Sequence, residues 1–168
     1  QESERKNDAE VSTPSALRKN MLDTVPIEVW SSICRVCDPC CGKGGILVDI
    51  IDRFMLGLRE KIPDKEKRYK TIVENCIYFI DINPTNIFIC KLLINRNKKY
   101  ELNYHEGNTL DLDIKKEWDI DSFDAVIGNP PYSTNPSKQN TTPLYNLFTE
   151  KFIDKTKYLL YVMPSRWF

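Results

Sequence analysis

The sequence predicts an α/β fold: a mostly parallel sheet with helices on both faces. Short runs of β-branched and aromatic residues alternate with amphipathic stretches of helical length. Several of those runs are apolar on both faces, as strands covered from both sides must be. A third observation concerns the polar residues. Four consecutive predicted strands each end in a polar or glycine-bearing motif, and in open α/β sheets ligands bind at the carboxyl ends of the strands.

Taken in order, residues 1–12 read as a disordered lead-in and 13–168 as a single domain. In STPSALRKNMLD, Thr13 is placed to cap a helix and Pro14 to occupy its first position, with Leu17 and Met21 on one apolar face. ICRVCD, from Ile33 to Asp38, is a buried strand in which Cys34 and Cys37 act as small apolar residues. GILVDIIDRFMLGLREK is a helix with Ile46, Ile50, Phe54 and Leu58 four apart. PDKEKRYK reads as a charged, solvated connector. CIYFIDIN is the clearest strand, and PTNIFICKLLINRN opens the next helix at Pro84. ELNYHEGN and FDAVIGN are further strands, PLYNLFTEKFIDK is a helix with Leu144, Phe148 and Phe152 aligned, and YLLYVMPS is a fifth strand.

The bulk properties narrow the function classes. The 168 residues suffice for one domain with a sizeable core. Lys plus Arg equals Asp plus Glu at 24 each, so any nucleic-acid surface is a local patch and not a global field. No apolar run approaches the ~20 residues of a membrane span, and QESERKNDAE is too polar for a secretory signal. The chain starts without Met, which suggests a trimmed piece. Six cysteines among apolar runs suit a reducing, cytoplasmic compartment.

The strand ends carry the chemistry. After the first strand comes DPCCGKGG. It is not a P-loop, because Lys43 sits inside the glycine run, and it lacks the nicotinamide-binding spacing. An acid, Asp38, followed by glycines that admit a ligand close to the backbone suits a cation such as an amino-acid ammonium. Cys34, Cys37 and Cys40 also follow a C-x-x-C-x-x-C spacing. A metal site is disfavoured, since His105 is the only histidine and no second C-x-x-C exists. Asp81, ending the second strand, can accept both hydroxyls of a ribose or can cap the next helix, and Ile82 can lie on a purine or in the core. NPPY, residues 129–132, is the most specific element. Pro130 and Pro131 lack N–H groups and offer only carbonyl acceptors, Asn129 adds a side-chain acceptor, and Tyr132 adds a flat aromatic face. Rigid acceptors beside an aromatic plate suit a planar ring bearing an exocyclic amine.

Together these motifs resemble the AdoMet-dependent DNA adenine-N6 methyltransferases of the gamma arrangement, the TaqI-like and Eco57I-like enzymes of restriction–modification systems. The resemblance runs through the Thr-Pro helix, the D-x-x-x-G-x-G loop, the strand-end acid, Gly107–Asn108, NPPY and MPSRWF. It implies a Rossmann-like methyltransferase fold, here truncated after about the fifth strand, with the later strands and a target-recognition domain absent. It implies S-adenosyl-L-methionine as cofactor. Thr13 and Pro14 would close over its methionine end. Asp38, Pro39, Cys40, Gly42 and Gly44 would hold its amino-acid part, Asp81 its ribose and Ile82 its adenine. Asn108, where the family commonly has Asp, would address the cofactor's adenine amine.

The resemblance further implies that Asn129, Pro130, Pro131 and Tyr132 hold a target adenine flipped out of double-stranded DNA, with Phe148 as a second wall. No metal is implied. A fused or partner restriction nuclease is, and so is weak site-specific methylation by this piece alone. NPPY is shared with RNA-guanine and protein-glutamine amine methyltransferases, and a non-catalytic AdoMet- or DNA-binding module is a further alternative.

Overall fold

The computed structural model describes residues 12–132 and 143–163. Residues 1–11 of the lead-in, nearly all of the polar segment after Tyr132, and 164–168 of the MPSRWF motif lie outside the described residues.

Five strands form one sheet: β1 (Val36–Asp38), β2 (Ile77–Asp81), β3 (Asn103–Glu106), β4 (Phe123–Gly128) and β5 (Thr156–Tyr161). Their spatial order is β3-β2-β1-β4-β5, and every neighbouring pair is parallel. The chain steps outward from β1 to β3, then returns across β1 to lay down β4. The reversal falls between β1 and β4, and such a switch point opens a crevice at the carboxyl ends of the two strands.

Side chains alternate across the sheet with a period of two. Val36, Ile77, Phe79, Ala125 and Ile127 face one core, which is closed by α1 (Ser15–Asp23), α2 (Ile27–Trp30), α3 (Gly45–Gly57), α4 (Lys65–Asn75) and α5 (Pro84–Asn95). Cys37, Tyr78, Ile80 and Val126 face the other, with Ile114 of α6 (Ile114–Trp118) and Phe152 of α7 (Leu144–Phe152). Helices therefore cover both faces, and β1, β2 and most of β4 are buried throughout. In α3 the predicted stripe Ile46, Ile50, Phe54 and Leu58 is buried, and Phe54 meets the Trp30 ring edge-on at 5.2 Å.

Four local expectations are corrected. PDKEKRYK is not a solvated connector but the start of α4. Asp64 caps it by accepting from the Lys67 N–H at 2.6 Å, Arg68 is buried, and its Nη1 donates to the Ile62 carbonyl at 2.8 Å. Ile72 and Val73, beyond the charged run, supply the apolar face. Thr13 does not cap α1: Pro14 is the N-cap residue and no side chain caps that end. The first strand is shorter than Ile33–Asp38. Ile33 is exposed and Cys34 half-buried, while Cys37 is fully buried. On α1 the buried residue is Leu22; Met21 packs against the same core, whereas Leu17 is exposed.

The approach of α2 to α3 leaves no room for a side chain at Gly57, where a Cβ would stand 2.3 Å from the Trp30 carbonyl oxygen. Gly57→Ala forces a backbone shift and is expected to lower stability by about 1–3 kcal/mol, read as a lowered denaturation midpoint at unchanged m-value. An unchanged midpoint would show that the two helices are not locked together here.

Candidate functional site

Since all strands are parallel, Asp38, Asp81, Gly107–Asn108 and Gly128–Asn129 emerge at one edge of the sheet. The first and last of these flank the switch point. Gly128 makes their contact possible: a Cβ there would meet Asp38 Oδ1 and Pro39 Cδ, each at 3.0 Å. The Asn129 N–H also bonds to the Cys40 sulfur. The two loops are thus joined directly. On the far side of Asn129, Val162 N–H donates to the Gly128 carbonyl at 3.1 Å.

The glycine loop is held from three sides. Gly42 and Gly44 have positive φ, 51° and 84°, a region that glycine occupies at no steric cost. Gly44 is also the N-cap of α3, and a Cβ there would press on Cys90 Sγ at 3.1 Å. Gly42 N–H donates to Asp81 Oδ2 at 2.8 Å, and Cys41 N–H to the Ile80 carbonyl at 2.9 Å. The buried Thr109 hydroxyl donates to the Pro39 carbonyl at 2.5 Å. Asp81 therefore does more than end a strand. Its Oδ1 accepts from Asn83 N–H at 2.8 Å, and the residue that caps α5 is Asn83, not Asp81.

Asp38 is the electrostatic anomaly. It is 1% exposed, and its Oδ1 accepts one long bond from Cys40 N–H at 3.2 Å. Oδ2 has no hydrogen-bond partner among the described residues. Burial pushes the carboxyl up to about 8, the Asp81 charge adds to the rise, and the Cys40 N–H opposes it. A buried carboxyl oxygen without a partner is a site that a cation satisfies once it displaces the proton. Burial also holds the thiols of Cys37 and Cys40 well above their ordinary value, so neither is a ready nucleophile. No three or more His, Cys, Asp or Glu side chains gather to hold a metal among the described residues.

The other expected residues are placed as follows. Ile82 projects into solvent at 72% exposure, just past Asp81. Asn108 is exposed and starts a 3-10 turn (Thr109–Asp111): its side-chain Oδ1 accepts from Leu110 N–H at 3.1 Å and its Nδ2 donates to Asp111 Oδ2 at 2.8 Å. Pro130 is buried and Pro131 exposed. Asn129 Nδ2 donates to Thr13 Oγ1 at 3.1 Å, and its Oδ1 accepts from the Tyr132 hydroxyl at 3.3 Å. Thr13, buried rather than capping, thus bridges the segment before α1 to NPPY. Phe148 is buried on α7. Sequence reasoning missed Gly128, Thr109, Arg18 and Asp49. Only Gly128 carried a signal, a glycine directly before a strand-end polar residue.

The N-6 DNA Methylase family model matches residues 1–162. The chain belongs to the N-6 DNA methylase family. The cofactor that goes with this family is S-adenosyl-L-methionine, and the unpaired Asp38 oxygen beside a glycine cradle fits its ammonium group. No curated protein matches the methylase chain. Among solved structures it is similar to one described as a class I S-adenosylmethionine-dependent methyltransferase from Listeria monocytogenes, at 15% identity and a TM-score of 0.64, covering 95% of this chain and 48% of that one. It is also similar to one described as a type I restriction-enzyme modification subunit from Vibrio vulnificus, at 21% identity and TM-score 0.59, covering 90% and 32%. A third is the type ISP restriction–modification enzyme LlaBIII bound to DNA, at 17% identity and TM-score 0.55, covering 83% and 12%. At these identities the likeness establishes the methyltransferase fold. The methylase chain spans less than half the length of each of these relatives.

The Asp38 geometry sets a pH test. Between about pH 4 and 8 the unfolded carboxyl is ionised while the folded one keeps its proton, so this group's contribution to stability falls as pH rises through that window. Asp38→Asn removes the dependence. The unliganded variant is expected to gain about 1–3 kcal/mol over the parent at pH 9 while binding S-adenosyl-L-methionine at least tenfold more weakly. Chemical denaturation at pH 5 and pH 9, with calorimetry, reads both. A stability difference that does not vary with pH would refute the assignment.

Proposed function

We propose that residues 13–168 are the catalytic portion of an adenine-N6 DNA methyltransferase of a restriction–modification system. The single observation that carries this reading is the seat of Asn129. Its amide stands at the end of β4, joined through Gly128 to the Asp38 loop, in a chain of the N-6 DNA methylase family. The structural relative captured on DNA supports the choice of acceptor.

The chemistry asks little beyond placement. An adenine amine is a weak nucleophile because its lone pair is delocalised into the ring. Two acceptors, Asn129 Oδ1 and the Pro130 carbonyl, draw its N–H bonds aside and favour a pyramidal nitrogen with a localised lone pair. S-adenosyl-L-methionine supplies a methyl group already activated on a sulfonium. Asp38 would hold the ammonium end, Gly42 and Gly44 would let the backbone close around it, and Asp81 and Ile82 would address ribose and adenine. Tyr132 provides a stacking face for a base taken out of its duplex. Positioning and fixed dipoles account for the acceleration, and no covalent nucleophile is required.

Labelled S-adenosyl-L-methionine offered with DNA, RNA and protein acceptors tests the proposal. An oligonucleotide with unpaired adenines is the DNA of choice, because the cost of extracting the base is then small. N6-methyladenine should be found in its digest. Asn129→Ala should lower the single-turnover rate by about 100-fold or more while cofactor binding stays within a few-fold. Label found only in RNA or protein would overturn the choice of acceptor, and absence of cofactor binding would overturn the whole reading.

A further inference from the structure

An ion pair beside the site has no part in the reaction as described above. Arg18 on α1 reaches over the start of α3. Its Nε donates to Asp49 Oδ2 at 2.5 Å, and its Nη1 donates to the Thr13 carbonyl at 2.7 Å. Both side chains are only about one-fifth exposed. The guanidinium lies on Gly45, where a Cβ would come within 3.3 Å of Nη1. A lone cation at a helix N-terminus is unfavourable. Asp49, one turn further along α3, supplies the opposite charge, and the planar fork turns that pairing into a fixed direction for Nη1.

Nη1 grips the backbone of a residue that touches the Asn129 amide nitrogen. Thr13 is buried, and its Oγ1 accepts from Asn129 Nδ2. The amide nitrogen is thereby turned toward α1 and the carbonyl toward Tyr132. The two ends of an amide are not equivalent for an amine partner. The carbonyl accepts from it, whereas a rotated amide would confront N–H with N–H.

We propose that Asp49, Arg18 and Thr13 form a brace that holds the Asn129 carbonyl outward, and that Arg18 is a positioning residue for amine methylation though it touches neither substrate nor cofactor. The proposal rests on the reading of Asn129 as the amine acceptor.

The test uses the full chain labelled with 15N, with the Asn129 side-chain amide resonances as its primary readout. Thr13→Val should move these resonances and remove their protection from exchange, and Thr13→Ser should restore both. Arg18→Lys, which keeps the charge but not the fork, should move the same resonances from a distance. The same Arg18 variant should lower the single-turnover rate about 10- to 100-fold with the Kd for S-adenosyl-L-methionine within twofold and the denaturation midpoint nearly unchanged. Asp49→Asn repeats the measurement should Thr13→Val fail to fold. Asn129 resonances indifferent to Arg18→Lys and to Thr13→Val or Asp49→Asn, with an unchanged rate, would overturn the brace and leave the functional reading intact. Resonances that respond in a chain that methylates no amine would overturn the functional reading, and with it the role given to Arg18, while the hydrogen-bonded brace itself is seen.

Discussion

The site depends on one close approach. Where β4 ends, the backbone of Gly128 lies so near Asp38 and Pro39 that even a Cβ would stand only 3.0 Å from each. Parallel pairing of β1 with β4 brings the two loops to the same edge, and the bare glycine lets them close on one another. The acid of one loop and the amide of the next thereby belong to a single crevice. The contact also seals Asp38 from water, which keeps its proton in place and leaves one oxygen without a partner.

Around this contact the loops restrain one another through a branched set of hydrogen bonds. Asp81 holds Gly42, Thr109 holds Pro39, Cys40 takes the Asn129 N–H, and Thr13 takes the Asn129 side chain. Each link joins a different pair of strand ends or a strand end and α1. Loops of this kind ordinarily exchange rigidity for function. Here the hydrogen bonds give them the support that residues on helices and strands receive from their own ladders.

The fold was legible because its strong signals were local. Ile77–Asp81 is a continuous apolar strand, Ile46 to Leu58 a helical stripe, and parallel strands buried on both faces cannot hide their composition. The misses share a physical cause. Helix α4 begins with a charged run and is set by a cap at Asp64 and by a buried Arg68 that satisfies carbonyls of the preceding loop, so its periodicity is hidden until Ile72. From its next neighbours Thr13 reads as a helix cap, whereas the bond it makes is to Asn129, far along the chain. Strand-end residues could be nominated from position alone. Arg18 and Asp49 could not, because their pairing exists only once α1 and α3 have packed.

The bond from the Tyr132 hydroxyl to Asn129 Oδ1 has a consequence for selectivity. At 3.3 Å it is long for an O–H donor and easily given up. An amide oxygen accepts at two lone pairs, so the phenol and an amine N–H can both donate to it. On the proposed role of Asn129, an amine would add a bond that the Tyr132 hydroxyl helps to aim. A ring with a carbonyl in the amine's place would set two acceptors face to face and leave the phenol as the one donor between them. Discrimination would then be set by the bond that goes unmade.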